Sequence, residues 1–187
     1  AYCSPIFYSN IGIYVRADLF DGEKRSFKDA IHYINSKNWK PEVLFGELSE
    51  TLVEKYFKKN LENINRENFK PATDDDFIKL LQNINCTNPA TKRDGNLGDF
   101  AFMEVFKANS IFNQWSANFN LVNILKDNEL MYPVSFVVRK EDTVLKNLIN
   151  IRLLELRANG DLEKILKKVA REVHIVNDDE FKNIFIQ

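Results

Sequence analysis

The chain is short of the residues from which reactive centres are usually assembled. Its 187 residues include two cysteines, Cys3 and Cys86, and two histidines, His32 and His174. Two cysteines cannot make a disulfide scaffold or a four-cysteine zinc site; they admit two buried thiols, one disulfide, or one of each. No Gly-rich nucleotide loop, paired metal-ligand spacing or nucleophile elbow occurs. Neither histidine has a Ser or Cys partner at a suggestive spacing, so no catalytic residue, metal or cofactor is expected. An excess of one charge is also missing. Lys plus Arg number 26 and Asp plus Glu 27, a formal net charge of -1. Without a basic block, a nucleic-acid partner held by phosphate contacts is not expected. No apolar run is long enough to span a bilayer. The start, Ala1-Tyr2-Cys3-Ser4-Pro5, lacks an initiator Met, a basic n-region and an apolar h-region, as in a mature form, an expression product or a fragment.

What is present suits a packed core. Apolar residues make up 44% and charged residues 28%, which argues against disorder and for one domain or two small lobes. Ile11-Gly12-Ile13-Tyr14-Val15-Arg16 reads as a strand. Ser26, with Asp29 three residues on, opens a helix carrying Phe27, Ala30, Ile31 and Ile34. Glu42 to Phe45 reads as a strand ended by Gly46. Ser49 or Glu50 then caps a helix with Leu52, Val53, Tyr56 and Phe57, giving half of a βαβ unit. A further strand is expected near Phe69, a helix opened by Thr73 with Asp76, and a loop from Asn85 to Asn96. Phe100 to Met103 reads as a buried strand and Glu104 to Asn113 as a helix. A β-rich run lies within Met131 to Arg139. The clearest helix is Thr143 to Ala158, ended by Asn159-Gly160, and Asp161 caps the last one. Alternating strands and helices predict an α/β fold.

Two places could touch a ligand. The turn Gly46-Glu47-Leu48-Ser49-Glu50 joins a strand to a helix, where free N–H groups converge and attract an anion such as a carboxylate. The alternative is a plain turn with Ser49 as N-cap. In Gly98 to Glu104 a buried strand delivers a carboxylate to the carboxyl end of a sheet, where it can bind an ammonium group. The alternative is a Glu104 that merely complements a helix dipole.

An ordered set of segments resembles the family 3 extracellular solute-binding proteins, the type II periplasmic binding proteins that feed amino acids to ABC transporters. Tyr132-Pro133-Val134-Ser135-Phe136-Val137-Val138-Arg139-Lys140-Glu141-Asp142 resembles the family's strand ending in Val-Arg-Lys and an acid. Leu145 to Asn150 and Leu156-Arg157-Ala158-Asn159-Gly160-Asp161-Leu162-Glu163-Lys164-Ile165 resemble the two helices that follow it. Tyr2 to Pro5 with Gly12 to Arg16 is similar to the family's first hinge strand, and Ser26 to Ala30 to the helix opening lobe 2. Gly46 to Glu50 falls on the carboxylate-binding turn. Asp99 to Glu104 falls on an element whose second acid, here Glu104, grips the ligand ammonium. Departures are Glu47 and Leu48 for hydroxyl residues, Glu104 for Asp, Cys3 for Ser, a tail beyond Arg171, and a start downstream of the family's first lobe-1 segment.

The resemblance implies an α/β, type II periplasmic-binding-protein-like fold with one complete lobe and a partial second lobe. Lobe 2 is expected at 20–134, and hinge strands with a partial lobe 1 at 1–19 and 135–187. It implies capture of an amino acid or similar small polar solute between lobes, without chemistry, for an ABC permease. Gly46, Leu48, Ser49 and Glu104 would line the site. With part of the cleft absent, affinity for a free amino acid is expected to be poor. A periplasmic or extracytoplasmic location is implied. A ligand-sensing domain of a membrane receptor and a degenerate, non-binding interaction protein remain alternative readings, as does a dehydratase-like or lyase-associated role. Self-association through exposed lobe-1 surface is a further expectation.

Overall fold

The computed structural model describes residues 1–44, 47–57, 72–86, 97–115, 119–173 and 181. They form two compact units. Unit 1 comprises 1–10, 105–114 and 130–187; unit 2 comprises 11–104 and 115–129. Residues 11–19, expected with the flanks, therefore fall in unit 2, and 105–114, expected in lobe 2, in unit 1. The architecture is mixed α/β. The elements in chain order are β1 (Tyr2–Arg16), α1 (Phe27–Ser36), β2 (Pro41–Glu42), α2 (Leu48–Phe57), α3 (Asp74–Asn85), β3 (Phe100–Glu104), α4 (Val105–Trp115), β4 (Leu121–Asn123), β5 (Met131–Val137), α5 (Thr143–Ala158) and α6 (Asp161–Glu172).

Unit 2 is built on the second half of β1. Ile11 to Val15 pair antiparallel with β3, and Tyr14 to Arg16 pair antiparallel with β4. β2 adds to β3 in parallel, with Pro41 opposite Phe100 and Glu42 opposite Ala101. The strand order is β2-β3-β1-β4. Ile13, Val15, Phe100 and Ala101 are fully buried, and so are Ala30, Ile34, Val53, Leu81 and Ile84 from α1, α2 and α3. These are the apolar positions of amphipathic helices laid on a sheet. An aromatic cluster fixes α2 against β3. Phe57 lies 5.0 Å from Phe100 and 6.1 Å from Phe102 between ring centroids.

The helix starts follow the sequence closely. The Ser26 hydroxyl accepts from the Asp29 N–H, and the Phe27 N–H donates to Glu129 Oε2. Thr73 and Asp76 form a reciprocal capping box, which satisfies two donors that a helix start leaves open. Of the strand expected over Glu42 to Phe45, Glu42 pairs with β3 while Val43 and Leu44 lie beyond the paired residues, and Phe45 is outside the described residues. The strand near Phe69 and the loop at 87–96 lie outside the described residues.

Gly12 sits on β1 where β4 crosses. A Cβ there would meet the Asn123 amide at 2.9 Å and the Tyr14 ring at 2.8 Å. Asn123 uses that space, and its Oδ1 accepts from the Ile13 and Leu125 N–H groups, both at 3.1 Å.

Unit 1 pairs the first half of β1 antiparallel with β5, with register shifts between Tyr2, Pro5 and Phe7. Those shifts leave backbone groups without a strand partner, and α5 supplies side chains for them. Asn150 Oδ1 accepts from the Ser4 N–H at 2.7 Å, and Arg157 donates to the Pro5 and Ile6 carbonyls. α5 runs from Thr143 to Ala158, as expected. Gly160, at φ 70°, turns the chain directly into α6, so it rather than Asp161 precedes that helix as its cap. Leu162, Leu166, Ala170 and Phe181 form the core of this unit, with Ile6, Phe7, Phe106 and Leu156 packed on them.

Candidate functional site

The parallel pairing of β2 and β3 sets the site's geometry. Both strands run in one direction, so their carboxyl ends lie at the same edge of the unit 2 sheet. Glu104 is the last residue of β3, three beyond the Ala101 that pairs with Glu42. The chain leaving β2 enters α2 at Leu48. Side chains alternate along a strand, so Glu104 shares a face with Phe100 and Phe102. That is the face α2 covers, because Phe57 at the far end of α2 packs on both rings. The first turn of α2 and Glu104 are therefore on one face and toward one edge of the sheet.

α2 begins at Leu48, two residues before the Glu50 start that a Ser49 cap implies, so Ser49 stands inside the first turn rather than at the cap. Its side chain is buried, and its hydroxyl donates to the Leu44 carbonyl at 3.2 Å. The hydroxyl proton is thereby committed within the protein, and the groups left to donate toward a ligand at this turn are backbone N–H groups. Leu48 is exposed. Glu47 closes the turn, with its N–H on the Leu44 carbonyl at 3.4 Å and its carbonyl on the Glu50 N–H at 3.1 Å. Gly46 lies outside the described residues.

A second set of contacts, not foreseen from the sequence, holds β3 in place. The half-buried Glu42 accepts from Asn83 at 2.8 Å and from the Gly98 N–H at 2.7 Å. Asp99 and Lys40 exchange two bonds, the Asp99 N–H to the Lys40 carbonyl at 2.7 Å and the Lys40 N–H to the Asp99 carboxylate at 3.0 Å. Asp99 thus acts on its own backbone neighbourhood, whereas Glu104 ends the strand. The sequence signal for Glu42 was a charged residue leading into an apolar strand run, where ionised groups are seldom buried without partners.

Outside this edge the chemistry is sparse. Both cysteines are free thiols, Cys3 buried and Cys86 half-buried. His32 is exposed on α1, and His174 lies outside the described residues. Burial pushes the Tyr14 phenol well above its usual range. Among the described residues no cluster of metal-ligating side chains occurs, and no helix is long and apolar enough to cross a membrane.

No family model and no curated protein matches the sequence. Solved structures do. An ancestral arginine-binding protein bound to arginine superposes with a TM-score of 0.59 at 20% identity, over 89% of this chain and 62% of its own. A structure concerning glutathione import by GshT and the cystine ABC importer TcyBC of Streptococcus mutans gives 0.58 at 20% identity, over 96% of this chain and 66% of that one. The ancestral amino acid-binding protein AncCDT-1, a precursor of cyclohexadienyl dehydratase, gives 0.54 at 18% identity, over 89% and 60%. The chain thus has the type II periplasmic-binding-protein fold and spans about three fifths of the length of the solved chains it matches.

Proposed function

We propose that this chain is the ligand-binding part of a solute-binding protein. It takes amino acids or similar small polar solutes, outside the cytoplasm, for delivery to an ABC permease. The observation that carries the reading is the placement of Glu104 and the first turn of α2 at one edge and on one face of the unit 2 sheet. In the type II fold the carboxyl edge of the sheet is where small ligands are held. An α-ammonium group would donate to the Glu104 carboxylate. An α-carboxylate would accept from the backbone N–H groups opening α2, helped by the helix dipole. Glu47 and Glu50 flank the same turn and bias it toward ligands whose positive charge outweighs the negative. Two unit charges 4 Å apart near a protein surface interact by about 4 kcal/mol, enough to favour an amine-rich solute. The neighbours' names support the class of ligand, since one is an arginine-binding protein bound to arginine.

A titration of the isotope-labelled chain with arginine, glutamine and glutamate, followed by amide chemical shifts, tests this reading. The expected result is weak, saturable binding with shifts at the start of α2 and the end of β3, strongest for arginine. Glu104→Gln should abolish the arginine shifts while leaving the remaining spectrum intact. Equal binding by Glu104→Gln removes the assignment. The exposed Leu48, where a hydroxyl residue is usual in proteins this sequence resembles, supports a second reading as a non-binding interaction protein. A complete lack of shifts with every amino acid selects it.

A further inference from the structure

Among the described residues, unit 2 leaves one large apolar side chain exposed, that of Leu48. A lone exposed leucine is ordinary on a protein surface. Its place here is what matters. Leu48 is the first residue of α2, at the turn assigned above to a ligand's carboxylate.

That turn offers an anion less than its position suggests. Of the side chains at 47–50, none has a donor to spare. The Ser49 hydroxyl is committed to the Leu44 carbonyl at 3.2 Å. Leu48 has no polar side-chain atom, and ionised Glu47 and Glu50 only accept. Two backbone donors are also in use, the Glu47 N–H on the Leu44 carbonyl and the Glu50 N–H on the Glu47 carbonyl. A helix start carries about half a positive charge. The two glutamates within one turn of it bring two full negative charges, so their sign prevails. A carboxylate placed here would shed its hydration beside an apolar side chain and two like charges, which is a costly burial.

The same features suit a different ligand. Methylene groups gain by leaving water against an apolar side chain such as Leu48. Cations are attracted by Glu47 and Glu50, and by Glu104 on the same face and toward the same edge of the sheet. We infer that the site selects linear aliphatic amines that carry a second cationic group and no carboxylate, and that Leu48 sets this preference over amino acids of the same chain length. One ammonium group donates to Glu104, the methylenes lie along Leu48, and the second cation meets the glutamates of the turn. The inference rests on the assignment of this edge as the ligand site and narrows the class of solute it takes.

The test titrates the isotope-labelled 187-residue chain with two matched pairs, arginine against agmatine and lysine against 1,5-diaminopentane. Within each pair the α-carboxylate is the sole difference. Both carboxylate-free amines should half-saturate the shifts at the start of α2 and the end of β3 at a concentration at least fivefold lower than their amino acids. Leu48→Ser should bring each pair to within about twofold. It should leave the urea midpoint unchanged, because Leu48 is exposed. The Glu47→Gln, Glu50→Gln double variant should tighten arginine and weaken agmatine. Arginine and lysine binding as tightly as their counterparts, or more tightly, overturns the inference and leaves the amino-acid reading standing. A preference undiminished in Leu48→Ser overturns it in favour of diffuse attraction between doubly charged amines and an acidic surface. No shifts with any of the four probes removes the ligand site itself, and the inference with it.

Discussion

Replacing Gly98 by alanine should cost unit 2 about 1.5–3 kcal/mol, because either way of accommodating the new methyl group is expensive. A Cβ at position 98 would lie 2.5 Å from the Glu42 backbone nitrogen and 2.8 Å from the Pro41 carbonyl carbon. These are main-chain atoms of β2, held by its pairing with β3, so they cannot swing aside as a side-chain tip would. Overpacking of this kind costs about 1–3 kcal/mol. Relief requires residue 98 to move away from β2, and that breaks the 2.7 Å bond from its N–H to the Glu42 carboxylate. A hydrogen bond to a charged group contributes about 1.5–3 kcal/mol. Trp39 is a local reporter, edge-on to Tyr33 at 5.4 Å and next in sequence to the Lys40 that pairs with Asp99. Urea unfolding followed by its emission, with Trp115→Phe as the background, should show the midpoint falling by about 1 M or more for a typical slope. The arginine-induced shifts at Glu104 should weaken too, because Gly98 and Asp99 lead directly into β3. A Gly98→Ala variant within about 0.5 kcal/mol of its parent would refute the close approach of the two chains here.

Other tests address separate contacts. Asn123→Ala deprives the Ile13 and Leu125 N–H groups of their shared acceptor, and at about 1–3 kcal/mol for each buried donor left unpaired the urea midpoint of unit 2 should fall clearly, with Asn123→Asp recovering much of the loss. Asp21 should show itself only in acid: the Arg25 guanidinium bonded to it holds its carboxyl at about 2, below the ordinary 3.8. A depressed folded value means its contribution is complete above pH 3.8 and lost as pH falls through about 2. Asp21→Asn should therefore be slightly less stable than the parent above that window and indistinguishable from it below, as measured by acid titration of the circular dichroism signal.

How much could be read from the sequence depended on the range of the forces involved. Helix α5 was legible to the residue, because its apolar spacing and the Gly160 stop are local. The capping pairs Ser26 with Asp29 and Thr73 with Asp76 were legible for the same reason. The first half of β1 was not legible in its residue pattern, and only the resemblance of Tyr2 to Pro5 to a hinge strand pointed to it. Pro5, Ser9 and Asn10 interrupt any alternating pattern, and the strand persists because β5, Asn150 and Arg157 bind it from more than a hundred residues away. Strand β4, only three residues long, exists because β1 is there to pair with. At the candidate site, Glu104 was legible as an acid at the end of a buried strand. The role of Ser49 was not, since a two-residue difference in where α2 begins converts a cap into a buried hydroxyl bound to Leu44. Glu42 and Asn123 escaped notice because each binds backbone brought close only by the folded sheet.

Strand β1 has a consequence for the order in which the protein can form. Its halves serve different units, and unit 1 draws on residues 1–10, 105–114 and 130–187. As the chain leaves the ribosome, unit 2 has all its residues once Glu129 has emerged. Residues 1–10 must by then wait for β5 and for the helix bearing Asn150 and Arg157. Conditions that slow the last third of synthesis would prolong that wait, and a binder of extended peptide would find its target there, in the nascent chain rather than in the finished protein.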